Sequence, residues 1–188
     1  MRNRFCKWCI RPVSKARRAP APLDSWVRRT PSLTARLRAR CGSGFRVRVL
    51  DEGWRRPGLD EAQRLAIAPG HLAWVREVLL LCHGRPQIFA RSVIPAASLT
   101  GRNRALRVLG NRPLGELLFA GRGTRRSANE VARLEAGDWL TRRLTHSLPG
   151  QAAADGIWAR RVVHHLRGRP LLVAEVFIPG IADPDHDY

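Results

Sequence analysis

The chain has 188 residues, 44% of them hydrophobic, which is one domain with enough apolar content to bury a core. It holds no run of 18 apolar residues and no continuous apolar N-terminal segment, so neither a membrane span nor a secretory signal is expected, and a soluble cytoplasmic protein is the default. The net charge is +19, but Lys7 and Lys15 are the only lysines, the arginines are spread along the chain, and no zinc-finger, RNP-like or clear helix-turn-helix pattern accompanies them, so no specific nucleic-acid partner is expected.

Residues 1–22 are basic and rich in Pro and Ala and read as a flexible arm outside the domain. Within it Cys6 and Cys9 form a lone C-x-x-C without a second pair, and the histidines stand at no ligand spacing, so no metal is expected. The domain is expected over 23–181. Thr30-Pro31 reads as an N-cap and first helical residue, with Leu33, Leu37 and Cys41 following at helical spacing. Phe45, Val47 and Val49 alternate with polar neighbours and predict a strand ending near Gly53, followed by a mixed loop or short helix over 57–70. Ser98 opens a helix through Leu99, Leu106 and Leu109 that stops at Gly110, and Pro113 starts a second, short helix. Residues 124–135 are a strand candidate, 146–156 a polar loop, and 182–188 an acidic tail. Cys41 and Cys82 read as ordinary reduced thiols.

The most informative pattern is an internal repeat. Trp74, Arg76, Val78, Gly84, Arg85, Pro86, Ala90, Ile94 and Pro95 return without a gap 84 residues further on, as Trp158, Arg160, Val162, Gly168, Arg169, Pro170, Ala174, Ile178 and Pro179. Each copy reads as a hairpin about an X-Gly turn, His83-Gly84 and Arg167-Gly168, because glycine accepts positive φ without penalty. Counting from two-residue turns sets Cys82 opposite Arg85, Val78 opposite Phe89 and Arg76 opposite Arg91. In the second copy it sets Val162 opposite Val173 and Arg160 opposite Glu175. Directly opposed residues share a face, so each hairpin would carry a charged layer between apolar layers. Arg160 and Glu175 can neutralise each other. Arg76 opposite Arg91 cannot, and an anionic ligand would relieve that conflict. The alternation also permits a second reading, in which the charged layer is solvated and Val75, Leu79, Leu81, Ile88 and Ile94 face the core.

The string Trp-Val-Arg-Glu-Val-Leu-Leu from Trp74, with Gly84, Pro86, Arg91 and Pro95, resembles bacterial chorismate lyase. So do Pro113-Leu114-Gly115 with Leu118-Phe119, and Gly168-Arg169-Pro170-Leu171-Leu172 with Glu175-Val176-Phe177-Ile178-Pro179. The similarity runs from about residue 24 to 180. It implies an α+β fold, an antiparallel sheet of about six strands with helices packed on it, a buried ligand cavity, and no metal or organic cofactor. It also implies conversion of chorismate to 4-hydroxybenzoate and pyruvate, the entry step of ubiquinone synthesis, and the protein is expected to act as a cytoplasmic monomer. The resemblance makes Arg76 and the Leu114 backbone ligands of the ring carboxylate, and Glu175 the acid/base group. Leu33 stands where the family has a ligand-contacting methionine, a departure that keeps the position apolar. Arg91 is assigned to the enolpyruvyl carboxylate or the departing ether oxygen, and Arg160 supports Glu175. The null roles are a structural Arg160–Glu175 salt bridge and a Leu114 that only packs. A non-catalytic domain sensing a small aromatic acid, of the kind found in some transcription regulators, is the alternative function.

Overall fold

Two tight turns set the architecture. His83 and Gly84 both have positive φ (47° and 80°), as do Arg167 and Gly168 (52° and 75°), the combination that matches the twist of the flanking strands. The computed structural model describes residues 8, 19–119, 124–149 and 156–182. In it the first turn joins β2 (Ala73–Cys82) to β3 (Arg85–Pro95), and the second joins β6 (Ile157–Leu166) to β7 (Arg169–Phe177). β3 pairs with β7, which fuses the hairpins into one sheet. β1 (Phe45–Arg55) pairs with β2, while β4 (Thr124–Arg126) and β5 (Glu130–Leu134) both pair with β6. The result is a seven-stranded antiparallel sheet in the order β1-β2-β3-β7-β6-β4, with β5 beside β6 and helices packed on it, the expected α+β arrangement with seven strands where about six were expected.

Both faces are covered. On one, a short helix α1 (Ala21–Asp24), a π-helical turn over Ser25–Arg29 and α2 (Leu33–Cys41) bury Trp26, Val27, Leu33 and Leu37 against Val47, Val78, Leu80 and Phe177. The same face carries α4 (Leu114–Phe119), whose Leu118 packs with Leu106, Leu109, Leu171 and Val173. On the other, Leu140 and Leu144 of α5 (Trp139–Ser147) meet Leu79, Phe89, Ala159 and Val176, and α3 (Leu59–Arg64) leads into the buried Leu65 beside Val75 and Val93. Neither of the two alternations seen in the sequence is solvated. Among the described residues no helix is long and apolar enough to cross a membrane.

Several expectations need correction. The N-cap of α2 is Ser32, whose Oγ accepts from the Ala35 N–H at 3.2 Å; the Thr30 hydroxyl, two residues earlier, donates to the Ser25 carbonyl and accepts from Arg36 Nη1. The helix expected from Ser98 is two 3₁₀ segments, Ala96–Ser98 and Gly101–Val108, interrupted where Gly101 takes φ 51°. Residues 124–135 are two strands rather than one. Helix α5 had no counterpart in the sequence reading. Cys41 and Cys82 are not free thiols: they form a disulfide with their Cα atoms 5.5 Å apart, tying the end of α2 to the end of β2. Ala19 is buried and α1 begins at Ala21; Cys6 and Cys9, most of the basic arm and residues 183–188 lie outside the described residues.

The largest correction concerns register. Cys82 does face Arg85, but a bulge between Leu80 and Leu81 leaves Gln87 as an extra residue on β3. Beyond it Glu77, not Arg76, stands opposite Arg91, and Arg76 stands opposite Ser92. One inserted residue sends every later side chain of β3 to the other face. The second hairpin has no such bulge, and its register, with Arg160 opposite Glu175, is the expected one. Arg91 and Glu175, equivalent in the repeat, therefore point to opposite sides of the sheet.

Candidate active site

The unbulged face of the sheet and the two helices above it enclose a cavity. Its floor is Val78, Ala90, Ser92, Val162 and Val173; its roof is Leu33 and Thr34 of α2 with Pro113, Leu114, Gly115, Leu118 and Phe119 around α4. The space between them is about 630 Å³, including the open solvent at its mouth. Gly115 lets the roof close: a Cβ there would lie 2.7 Å from Thr34 Oγ1 and 3.2 Å from its Cβ. Leu33, on the first turn of α2, is 2% exposed and presents only apolar surface. Leu114 is the first residue of α4, and first-turn N–H groups of a helix have no intrahelical partner.

Four cavity side chains are charged, and they are divided between its two sides. On β2, Arg76 is 2% exposed. Its Nη1 lies 3.4 Å from Glu52 Oε2, and its Nη2 donates to the Arg112 carbonyl at 3.2 Å. Burial lowers its pKa from the usual arginine value, with Glu52 acting in the opposite direction. On the β6 side, Arg160 donates from Nε to Glu175 Oε2 (2.6 Å) and from Nη1 to the Thr30 carbonyl (2.5 Å). It thereby satisfies a carbonyl at the end of the π-helical turn, where no helical donor follows. Arg126 on β4 donates to the Pro31 carbonyl at 3.3 Å and to Asn129 Oδ1, both uncharged. Burial and the nearby Arg160 lower its pKa, partly offset by Glu175.

His164 also lines the cavity, directly opposite Arg126 in the β4–β6 ladder and with its ring edge-on to Phe119 at 6.0 Å between centroids. Its Nδ1 is buried and has no hydrogen-bond partner. Burial first, then Arg126, Arg160 and His165, push its pKa down to about 4, so the ring is neutral at pH 7. Of the residues predicted from sequence, Arg76, Leu114, Glu175, Leu33 and Arg160 come together here. Arg126, His164 and Ser92 were missed. Arg126 is one arginine among many, but His164 had a signal: it occupies the repeat position held by Leu80 in the first copy.

Arg91 is elsewhere. On the far face it binds Glu61 through two hydrogen bonds (2.8 and 3.1 Å) and Glu77 through a third (2.6 Å), with its guanidinium 5.0 Å from the Trp139 ring centroid. Burial disfavours its charge, but the bonds and fields of Glu61 and Glu77 outweigh that and hold its pKa above the ordinary value. Arg143 also binds Glu77, and nearby Arg161 joins Glu130 and Asp60. Every carboxylate in this layer is matched to a guanidinium, which marks it as a structural network. Among the described residues, no cluster of three His, Cys, Asp or Glu side chains could hold a metal ion.

The family model described as chorismate lyase matches residues 11–185. A protein of Methylococcus capsulatus named "Probable chorismate pyruvate-lyase" is 46% identical over 159 residues, covering 85% of this chain and 96% of that protein. One of the same name from Aromatoleum aromaticum is 42% identical over 94% of both chains. Among solved structures, the C-terminal domain of the histidine utilization repressor of Pseudomonas syringae matches with a TM-score of 0.52 at 13% identity, covering 74% of this chain and 94% of that one. A GntR-family transcriptional regulator of Bacillus cereus matches at 0.51 and 16%, covering 72% and 92%. At such identities the structures share only the fold; the sequence matches decide the family, and the chain belongs to the chorismate lyase family.

Proposed function

We propose that this chain converts chorismate to 4-hydroxybenzoate and pyruvate, the first committed step of ubiquinone synthesis, as a cytoplasmic monomer without a cofactor. One observation carries the reading. Three guanidiniums, of Arg76, Arg126 and Arg160, line an apolar cavity whose only lining carboxylate is Glu175 among the described residues, and chorismate is a dianion. Family membership and the names of the relatives support the same substrate.

The ring carboxylate is taken by Arg76, with the Leu114 N–H as a second donor. Glu175 reaches the ring hydroxyl, oriented by Arg160. In the reaction the ether C–O bond breaks and its electrons become the carbonyl of pyruvate. The hydrogen on the hydroxyl-bearing carbon leaves as a proton, a proton is added to the methylene of the departing arm, and the ring becomes aromatic. Glu175 assists that proton movement, and the cavity holds the arm in a reactive geometry. Arg91 takes no part, because its hydrogen bonds lie on the far face.

The test is to incubate the purified protein with chorismate and follow pyruvate and aromatic product together by chromatography. Equimolar pyruvate and 4-hydroxybenzoate is the expected result. A 3-hydroxybenzoate peak would refute the product assignment. Tight 4-hydroxybenzoate binding without turnover would replace the lyase by a sensor of small aromatic acids.

A further inference from the structure

We propose that His164, together with Arg126, forms a second anion subsite in the cavity that receives the carboxylate of the enolpyruvyl arm, and that His164 is there to distinguish the dianionic substrate from the monoanionic product. The inference rests on the chorismate lyase reading of the same cavity.

Three observations lead to it. First, Arg91 leaves the second carboxylate without the partner that the hairpin repeat promised, and Arg76 stands on β2 beside its own neighbour Glu52. β2 and β6 are separated by β3 and β7, so their backbones lie about 14 Å apart at the usual strand spacing. A ring carboxylate held at Arg76 therefore leaves the other side of the cavity for the rest of the ligand. Second, that other side is cationic and under-neutralised. Arg160 has Glu175, whereas Arg126 has only neutral oxygen acceptors in the Pro31 carbonyl and the Asn129 amide. Third, the buried Nδ1 of His164 has no partner. Buried polar atoms are almost always paired, and one left unpaired in a cavity wall is waiting for a ligand atom or wasting free energy.

A neutral imidazole fits this task. One ring nitrogen carries a hydrogen and donates to a carboxylate; no proton needs to be taken up first. The groups around the ring are Arg126 on β4, Arg160 and His165 on its own strand, and Phe119 on α4, with Glu175 across the ladder from Arg160. Burial first, and then the two arginines, keep the ring neutral in the unliganded protein. An arriving carboxylate offsets their field, so the same group that binds the substrate arm becomes more basic when it does so, and its hydrogen bond strengthens. Loss of pyruvate reverses this and leaves 4-hydroxybenzoate held by Arg76, the Leu114 N–H and Glu175. The repeat-equivalent Leu80 lines the Arg76 side and offers no such atom, which is why the two ends of a pseudo-symmetric cavity are chemically different.

The experiment measures KM for chorismate and Ki for 4-hydroxybenzoate in wild type, His164→Leu, His164→Gln and Arg126→Gln. Removing a hydrogen bond to a charged group is worth about tenfold or more in affinity. His164→Leu and Arg126→Gln are thus expected to raise KM about tenfold while Ki moves less than about threefold. His164→Gln, which keeps a donor, recovers part of the loss. KM and Ki rising together, or neither moving, would overturn the subsite. Melting temperatures identify any variant that fails to fold, and the other substitutions then carry the comparison. If wild type shows no turnover, the lyase reading fails on its own; the same contrast is then read by calorimetric titration with chorismate and 4-hydroxybenzoate, and equal losses for both ligands refute the subsite.

Discussion

Arg160 joins Glu175 to the chain entering α2: its Nε donates to Glu175 Oε2 at 2.6 Å, directly across the β6–β7 ladder, while its Nη1 holds the Thr30 carbonyl at 2.5 Å. One fully buried guanidinium thus fixes both a cavity carboxylate and the segment leading into the cavity roof. Glu175→Gln keeps an oxygen that can accept from Arg160, so the fold should survive. If Glu175 assists the proton movement, kcat falls by about a hundredfold or more. A continuous pyruvate assay checks this, and a loss of under about tenfold would reduce Glu175 to an orienting role.

Arg76 is the opposite case, a buried guanidinium 3.4 Å from a partly exposed carboxylate. Burial already disfavours its charge, so its removal should not unfold the protein. Arg76→Met is expected to weaken 4-hydroxybenzoate binding by about tenfold to a hundredfold, the worth of hydrogen bonds to a charged group. Calorimetric titration of the ligand, with urea denaturation of the same sample, separates the affinity loss from any change in stability.

Arg91→Ala should do the reverse. It removes the Arg91 ion pair from Glu61, which is 2% exposed, and leaves Glu77, 0% exposed, with Arg143. Breaking a buried pair from one side costs about 3–5 kcal/mol, read as a fall in the denaturation midpoint. Affinity of the folded protein for 4-hydroxybenzoate should stay within about twofold, because Arg91 does not line the cavity.

The Cys41–Cys82 bond closes a loop of 41 residues in sequence separation. Constraining the unfolded chain over that length stabilises the fold by about 4 kcal/mol in the chain-entropy model. Alkylation of the unfolded, unreduced protein followed by mass spectrometry should leave both residues unmodified, and added reductant should lower the melting temperature. Full alkylation without reductant would refute the disulfide in the isolated protein.

His164 gives the unliganded protein a pH-dependent stability. Its folded pKa is pushed down to about 4, below the ordinary histidine value. The sign follows from proton counts: between the two values the unfolded chain binds more protons, so stability is full above about pH 6.5 and falls as pH drops towards 4. Between pH 7 and pH 5 the loss is about 2 kcal/mol. His164→Leu should remove that part of the slope, and urea denaturation of both proteins at the two pH values measures it by difference.

Much of this molecule was written in short-range pattern. The X-Gly dipeptides fixed two hairpin turns, the gapless repeat implied two like halves, and the apolar spacing of Leu33, Leu37 and Cys41 marked α2. Arg160 and Glu175 met as counted because nothing interrupts the ladder between them and the Arg167-Gly168 turn. Tertiary structure decided the rest. Gln87 bulges out of β3 although the repeat is gapless there, and that single residue moved Arg91 from the ligand to a structural network. The alternation could not say which face was solvated, because helices cover both. Arg126 and His164 came to line the cavity together only when β4 paired with β6, and Cys41 met Cys82 only when α2 docked on the sheet. Periodicity records which residues are neighbours along one element; which elements face one another depends on the burial of surfaces far apart in the chain, and that is where the chemistry of this cavity was assembled.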